Sequence, residues 1–424
     1  MKKFFGILFL GLTLVLSLVN FTEAAKFGDD YRLEKVLIFS RHDIRAPYYE
    51  QAKKFTPHEF VKWTSNQREL SLRGGLVETE LGQYFRKYLV AENFMPENYQ
   101  PAETEFRFYA NSRQRTVATA HYFATGFLPF AEIKVERKFS EDKNDPVFIP
   151  KLTFVNEKFR NLAEHQVLEH LGVKNWKELD KKFAPELSLI EKILDLKNSP
   201  YAKETGNTKF VSGDVKLLLE VGQEPAVRNF ADGVSSARDT LVMQYYESPS
   251  DSAAAFGNKI TAKQWATIGA FQDTFLEIMN TPAISVAVAN PLLRVMHDEL
   301  TLDTRRLTFL CGHDTNIASI TGALGVEKYS LPDTLEPQTP IGSKIVIEKR
   351  RGRDGKNYAS LYMIYPGTEQ IRNINTLTLE NPPKIFPLKL VEMQANEDGL
   401  YLFDDVMKRF EDAIAEYDEL KNGK

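Results

Sequence analysis

The chain has 424 residues, a formal net charge of −4 at pH 7, 43% hydrophobic residues and 26% charged residues. This composition is that of an ordinary globular protein, and the slight acidity argues against a general nucleic-acid-binding protein. The length exceeds that of one compact core, so we expect two packed units or one domain with a large insertion.

The amino terminus has the order of a secretory signal peptide. Two lysines precede an apolar run over residues 4–19, and small residues around Ala24 follow. The run is shorter than the roughly 20 apolar residues that a membrane helix needs. We therefore predict that residues 1–24 are removed on export, with an uncleaved membrane anchor as the alternative.

The first predicted strand of the mature chain leads directly into a basic cluster. The apolar run over residues 36–39 predicts a buried strand, and Arg41, His42 and Arg45 follow it. In α/β folds, ligands bind in the crevice at the carboxyl ends of the strands. Because the guanidinium fork matches the oxygens of a phosphate group, two arginines around one histidine indicate phosphoryl chemistry.

A second strand, predicted over residues 106–110, is followed by the start of a helix that we predict over 116–123. Arg113 and Arg115 lie at this helix start, where a positive charge opposes the helix dipole and needs an anionic partner or solvent. Taken alone, this segment favours two solvated surface arginines, with an anion site as the alternative.

The middle third of the chain changes to the apolar spacing of helices, and strand patterns return after it. The predicted helices cover 162–171, 187–196, 237–246 and 262–279. The later strands cover 307–311, 344–348 and 359–364, the last two joined by a hairpin loop over 351–356. We therefore predict an α/β fold in which 25–135 and 270–424 form a doubly wound sheet domain, interrupted by a mainly α-helical insertion over 136–269.

A second polar cluster, His313-Asp314, follows the strand at 307–311 and precedes a helical pattern at 317–324. A strand, a tight turn and a helix amino terminus together form a site for a polar ligand. The dipeptide His297-Asp298 follows no strand, so we interpret it as a solvated helix end.

The single cysteine, Cys311, excludes an intramolecular disulfide. It lies inside an apolar run, which favours a small buried side chain over a reactive nucleophile.

Residues 41–47, R-H-D-I-R-A-P, and the pair His313-Asp314 resemble the two motifs of the histidine acid phosphatase family, R-H-G-x-R-x-P and H-D. The resemblance covers nearly the whole mature chain and is closest to the bacterial periplasmic branch that holds glucose-1-phosphatases and phytases. Further segments similar to the glucose-1-phosphatase type are 113–120, 244–247, 312–319 and 339–342. The resemblance implies a phosphoglycerate-mutase-like fold and a periplasmic acid phosphatase that acts on phosphomonoesters such as glucose 1-phosphate.

The resemblance also implies roles for individual residues. It makes His42 the nucleophile, phosphorylated during turnover, and Asp314 the proton donor to the leaving alcohol. The residues that match the family's phosphate clamp are Arg41, Arg45, Arg115 and His313.

Three further residues are candidates for the substrate pocket. Glu247 lies where this branch carries an acidic residue bordering the pocket, with a surface glutamate at a helix end as the alternative. Asp43 replaces the usual glycine of the first motif, and it would repel phosphate unless its side chain turns away. Tyr48 stands where many phytases carry threonine, which would narrow the pocket.

No metal or other cofactor is expected, because the remaining histidines lack ligand spacing with carboxylates or cysteines. They are His58, His121, His165, His170 and His297. The expected partner is a small phosphomonoester, with no nucleic acid and, after signal removal, no membrane. The sequence leaves the oligomeric state and the preferred sugar open.

Two other functions remain as alternatives. A phytase needs a strongly basic pocket for inositol hexakisphosphate, whereas the chain is slightly acidic overall, although total charge does not reveal local charge. A catalytically silent phosphate-binding protein would be marked by the loss of His42 or Asp314, and both are present. Mutase-like phosphoryl transfer, known on the wider fold, is disfavoured by the predicted export and by the His-Asp motif.

Overall fold

The computed structural model describes residues 27–423 except 142, 144 and 249. The predicted signal peptide lies outside the described residues. Within the described part of the chain, no helix is long and apolar enough to cross a membrane.

The strands are β1 (Tyr31–Arg41), β2 (Phe106–Ala110), β3 (Val135–Glu136), β4 (Lys216–Leu218), β5 (Ala226–Arg228), β6 (Leu307–Gly312), β7 (Lys344–Gly352), β8 (Asn357–Tyr365), β9 (Lys384–Pro387) and β10 (Tyr401–Leu402). The helices of the first half are α1 (Tyr49–Ala52), α2 (Leu72–Ala91), α3 (Gln114–Phe127), α4 (Glu157–His170), α5 (Leu179–Lys182), α6 (Ala184–Leu194) and α7 (Pro200–Thr205). Those of the second half are α8 (Val234–Glu247), α9 (Asp251–Ala254), α10 (Ala262–Leu276), α11 (Pro282–Thr301), α12 (Asp314–Ala323), α13 (Thr368–Asn373) and α14 (Phe403–Lys421). Short 3-10 helices cover Gly28–Asp30, Lys53–Phe55, Trp176–Glu178, Leu196–Asn198 and Glu277–Asn280.

The main sheet has the strand order β10-β8-β7-β1-β6-β2-β3, and β9 pairs with β8. β1, β6, β2 and β3 run parallel, whereas β7 to β10 are antiparallel to their neighbours. The predicted α/β class is therefore confirmed. The sequence interpretation did not distinguish the antiparallel half of the sheet from the parallel half. The pair β4 and β5 forms a separate two-stranded sheet.

The register of the parallel strands brings three loops to one edge of the sheet. Arg41, the last residue of β1, lies opposite Gly312, the last residue of β6. On the other side of β6, Ala110 at the end of β2 lies opposite Cys311. Because β6 lies between β1 and β2, the segments that leave these three strands emerge side by side.

Burial explains why the central strands were recognisable in the sequence. Every residue of β6 is buried, as are the last seven residues of β1. A strand covered on both faces needs a nearly continuous apolar run. Helices α2 and α3 pack together, and α11 packs with α12 and α14. Cys311 is fully buried in β6, as predicted.

The long helix α2 was not predicted, and its packing explains why. Gly82 and Gly126 lie where α2 and α3 cross: a Cβ atom on Gly82 would lie 2.1 Å from the carbonyl oxygen of Phe123, and one on Gly126 would lie 2.0 Å from that of Thr79. Glycine weakens an isolated helix, so its presence lowers the helical signal of α2. The requirement for glycine arises only when the two helices come together.

The middle of the chain is largely helical, as predicted, but the division into two domains stays a prediction. The predicted helix over 262–279 becomes α10 followed by the 3-10 turn Glu277–Asn280. The predicted hairpin is present, and its loop is shorter than expected because Arg351 already pairs with Asn357.

Candidate active site

The three loops at the sheet edge bring together the side chains that the sequence selected. The rings of His42 and His313 lie edge to face with centroids 5.5 Å apart. Nη2 of Arg41 lies 3.2 Å from Oδ2 of Asp314, and Nη2 of Arg115 lies 3.4 Å from Nδ1 of His313. These residues come from positions separated by up to 273 residues (41 to 314) and meet because β1, β2 and β6 are neighbours.

His42 is held as a neutral imidazole with a free ring nitrogen. Its Nδ1 lies 2.8 Å from the backbone oxygen of Asp43. A carbonyl oxygen only accepts, so Nδ1 carries the proton and Nε2 keeps its lone pair. Burial, followed by the charge of Arg115, lowers the pKa of His42 well below its usual range. The low pKa favours the unprotonated ring.

His313 offers a donor to the same site. The amide of Asn111 is oriented by its oxygen, which accepts from the backbone N–H groups of Ser112 at 2.8 Å and Asp145 at 3.3 Å. Its Nδ2 therefore donates to Nε2 of His313, at 2.7 Å. In a neutral ring, the proton then sits on Nδ1. Burial, followed by the charge of Arg115, lowers the pKa of His313 and favours this neutral form.

Nδ1–H of His313 and Nη2 of Arg115 are both hydrogen-bond donors and lie against each other. Neither group therefore provides an acceptor for the other. Burial, followed by the neighbouring charge of Arg45, lowers the pKa of Arg115 to about 9. A guanidinium keeps its proton in proteins, so this position carries a positive charge, and no described carboxylate forms an ion pair with it. An anionic oxygen is the partner that would satisfy both donors.

Arg41 is fixed from behind by buried groups. Its guanidinium donates to Oε1 of Glu336 at 2.9 Å and to the backbone oxygen of Thr339. Burial opposes the charge of Arg41, but the carboxylates of Glu336 and Asp314 outweigh the effect of burial and raise the pKa of Arg41.

Asp314 is the second residue of the turn after β6 and the first residue of α12, and its Oδ1 accepts from the N–H of Thr315 at 2.8 Å. The side chain of Asp314 remains 19% exposed, so it reaches solvent while Arg41 does not.

Arg45 is held by a residue that the sequence interpretation did not select. Its Nη1 and Nη2 donate to the two carboxylate oxygens of Asp239 on α8, at 3.1 and 2.9 Å. The ring of Tyr48 lies beside Arg45, with the guanidinium carbon 5.9 Å from the ring centroid. Tyr48 therefore borders the basic cluster, and its predicted effect of narrowing the substrate pocket stays a prediction.

Asp43 turns away from the basic cluster into a buried network. Its Oδ1 accepts from the N–H of Ile44 at 2.7 Å, and its carboxyl lies beside that of Glu78 on α2, near Gly342. Nζ of Lys344 contacts the two oxygens of Glu78 at 2.9 and 3.1 Å and also Oγ of Ser40 at 3.0 Å. A Cβ on Gly342, which has a φ of +66°, would lie 2.4 Å from Oδ2 of Asp43, so glycine leaves room for this carboxyl.

Two buried carboxyl groups that lie side by side repel each other unless one of them holds a proton. Burial, followed by the charge of Glu78, raises the pKa of Asp43 well above its usual range, so we place the proton on Asp43. Lys344 then balances the single charge of Glu78. Position 43 is therefore neutral beside His42, which removes the expected repulsion of phosphate.

Replacing Asp43 with asparagine should flatten the pH dependence of stability. The pKa of Asp43 is raised in the folded protein. Its contribution to the unfolding free energy is therefore fully present below the unfolded pKa of about 3.9 and is lost as pH rises toward the folded pKa. Over that window, D43N should gain about 1.4 kcal/mol of unfolding free energy per pH unit relative to the wild type. Urea unfolding at several pH values measures the difference. A difference that does not change with pH would contradict the protonated pair, and D298N, at a side chain that is 81% exposed, serves as the control.

The structure does not bring Glu247 into contact with the phosphate-clamp residues. Its Oε2 accepts from Oγ of Ser71, the residue that caps α2, at 2.8 Å. Burial raises the pKa of Glu247, which indicates that it is not the solvated surface glutamate of the alternative interpretation. Its role in a substrate pocket stays a prediction.

Sequence reasoning missed Asn111, Asp239 and Glu336, each of which hydrogen bonds a residue of the predicted clamp. Asn111 directly follows the strand predicted over 106–110, and its position before the arginines was the only signal. Asp239 and Glu336 lie 194 and 295 positions from the arginines that they bind, and no spacing rule connects such distant residues. Among the described residues, no group of three or more His, Cys, Asp or Glu side chains is arranged to hold a metal ion.

Known proteins resemble this chain in both sequence and fold. The family model of the histidine phosphatase superfamily (branch 2) matches residues 32–158. The glucose-1-phosphatase of Salmonella typhimurium is 31% identical over 396 residues, covering 91% of this chain and 94% of that protein. The phytase AppA of Escherichia coli is 25% identical over 398 residues, covering 88% and 89% respectively. The apo structure of Hafnia alvei phytase has the same fold, with a TM-score of 0.81 at 22% identity, over 91% of this chain and 98% of that one.

Proposed function

Because this chain belongs to branch 2 of the histidine phosphatase superfamily and is a phosphomonoesterase, we propose that it hydrolyses sugar phosphates through a phosphohistidine on His42, with Asp314 as the proton donor. The strongest support is the arrangement around His42: a neutral ring with a free Nε2 lies beside the positive charge of Arg115. A nucleophile next to a site for its anionic target is what covalent phosphoryl transfer requires.

The first half of the reaction transfers the phosphoryl group to the protein. Nε2 of His42 attacks phosphorus, the bond to the leaving oxygen breaks, and that oxygen takes the proton of Asp314. Because Nδ1–H stays bonded to the backbone oxygen of Asp43, the ring keeps its orientation and its new positive charge is partly balanced. In the second half, water attacks phosphorus, the bond between phosphorus and Nε2 of His42 breaks, and phosphate is released. The attacking water gives a proton to Asp314, so both residues return to their starting states.

The clamp stabilises the charge that spreads over the phosphoryl oxygens. It consists of Arg41, Arg45, Arg115 and His313, assisted by the amino terminus of α12, whose dipole favours an anion. Phosphoryl transfer needs mainly positioning and charge stabilisation, so fixed donors matter more than added reactivity. Glu336 and Asp239 supply that fixation, since each binds one arginine before any substrate arrives.

For the substrate, we favour a sugar phosphate such as glucose 1-phosphate, because a relative that matches nearly the whole chain is a glucose-1-phosphatase. Phytase is the alternative, supported by the more distant likeness to a phytase. Steady-state kinetics of the purified protein with glucose 1-phosphate and with inositol hexakisphosphate separates the two. We expect a higher kcat/KM for glucose 1-phosphate; a clear preference for inositol hexakisphosphate would replace the first function by the second.

We also propose that the enzyme acts in the periplasm after residues 1–24 are removed. The support is the order of charged, apolar and small residues at the amino terminus. The mass of the protein recovered from a periplasmic extract tests this: a mass that still includes these residues would contradict it.

A further inference from the structure

A cavity of about 520 Å³ adjoins the proposed active site. Its wall includes Thr315, whose N–H binds the carboxylate of Asp314 at 2.8 Å. Glu224 also lines it, and burial, followed by the charge of Asp314, raises the pKa of Glu224. The cavity is therefore close enough to the proposed proton donor for the two carboxyl groups to interact.

Helix α8 connects the cavity to the clamp from the other side. Asp239 holds the guanidinium of Arg45, and the preceding residue, Arg238, lines the cavity. Consecutive helical residues project about 100° apart, so Arg238 can line the cavity while Asp239 binds Arg45. The cavity therefore adjoins the site in two places, at Asp314 and at the pair of Arg45 and Asp239.

The cavity contains a buried cation that forms no ion pair with a described carboxylate. Arg238 is only 7% exposed, and its guanidinium lies against the rings of Phe271 and Phe275, 5.0 and 4.9 Å from their centroids. Its Nη1 donates to the backbone oxygen of Phe271 at 3.4 Å, and among the described residues no carboxylate forms an ion pair with it. Burial lowers the pKa of Arg238 to about 10, which reflects the cost of this charge.

Two more cations line the same space, Lys151 and Arg228, and both are exposed. Against these three positive charges, the described lining contributes one carboxylate, that of Glu224. A concave site with a cationic excess and a guanidinium that forms no ion pair with a described carboxylate favours an anion with several oxygens.

We propose that this cavity binds a second phosphate group, carried by the alcohol that the enzyme releases, so that sugar bisphosphates are preferred substrates. This inference rests on the proposed function, because it places the scissile phosphate at His42. Arg238 supplies the buried fork, while Lys151 and Arg228 lie at the exposed part of the wall.

Three substrates with the same scissile bond test the inference: glucose 1-phosphate, glucose 1,6-bisphosphate and glucuronic acid 1-phosphate. The wild-type protein should show a kcat/KM about tenfold higher for release of the 1-phosphate from the bisphosphate than from glucose 1-phosphate. In R238Q this ratio should fall to near one, and in the double variant K151Q/R228Q it should fall in the same direction. The exposed substitution K408Q on α14 removes the same charge elsewhere and should keep the wild-type ratio.

The outcomes separate the two levels of the hypothesis. If no substrate is hydrolysed, the proposed function fails. If glucose 1-phosphate and the bisphosphate are hydrolysed equally well, or if R238Q and K151Q/R228Q keep the wild-type ratio, the second phosphate site is wrong. If glucuronic acid 1-phosphate is preferred as strongly as the bisphosphate, the cavity recognises any anion and the assignment to phosphate is overturned.

Discussion

Replacing His42 with alanine is expected to abolish phosphomonoester hydrolysis, lowering kcat by about 10⁴–10⁶-fold. The arginines can still bind the phosphate group, but no other described side chain offers a neutral, buried nitrogen with a free lone pair at this place. Because phosphate binding is kept, KM should change far less than kcat. Stopped assays with 4-nitrophenyl phosphate at acidic pH measure both constants.

A chemical trap makes the covalent step visible. Wild-type protein that is mixed with a phosphate-labelled substrate and quenched in alkali should carry an acid-labile label on His42, and H42A should carry none. The matched control is H165A, a change at an exposed histidine on α4 that should keep both turnover and labelling. Substantial turnover by folded H42A would rule out His42 as the nucleophile.

Replacing Asp314 with asparagine is expected to slow poor leaving groups by about 10²–10³-fold and to slow good ones much less. An asparagine has nearly the same shape as the aspartic acid but cannot give a proton to the departing oxygen. Nitrophenolate needs little protonation when it leaves, whereas a sugar or alkyl alkoxide needs it strongly. The comparison of kcat for 4-nitrophenyl phosphate and an alkyl phosphate, in wild type and D314N, measures the effect.

The chain contains its own control for this substitution. Asp298 also follows a histidine, but it lies near the carboxyl end of α11 with 81% of its side chain exposed. D298N should leave both rates unchanged. Equal slowing of both substrates in D314N would mean that Asp314 acts by holding Arg41, to which it is bound at 3.2 Å, and not as a proton donor.

Asp43 illustrates the boundary between sequence and structure. From the sequence, a carboxylate beside the nucleophile was an irregularity, harmless only if the side chain turned away. The structure places that carboxyl against Glu78 and Lys344, in a space that Gly342 leaves open. These partners come from α2 and β7, and neither was predicted to lie near the first motif. A sequence motif indicates which residue is unusual, but the groups that make it tolerable are distant in the chain.

The sequence by itself determined the residues with chemistry and the strands that carry them. Local patterns suffice for this: an apolar run predicts a buried strand, and a polar cluster directly after it lies at the sheet edge. Only the tertiary structure decided which groups hold those residues, namely Asn111 on His313, Asp239 on Arg45 and Glu336 on Arg41. It also decided the direction in which the pKa values of His42 and Asp43 shift, because burial and neighbouring charges exist only in the folded chain. Hydrogen bonds and electrostatic forces act through space, so separation along the chain does not reveal them.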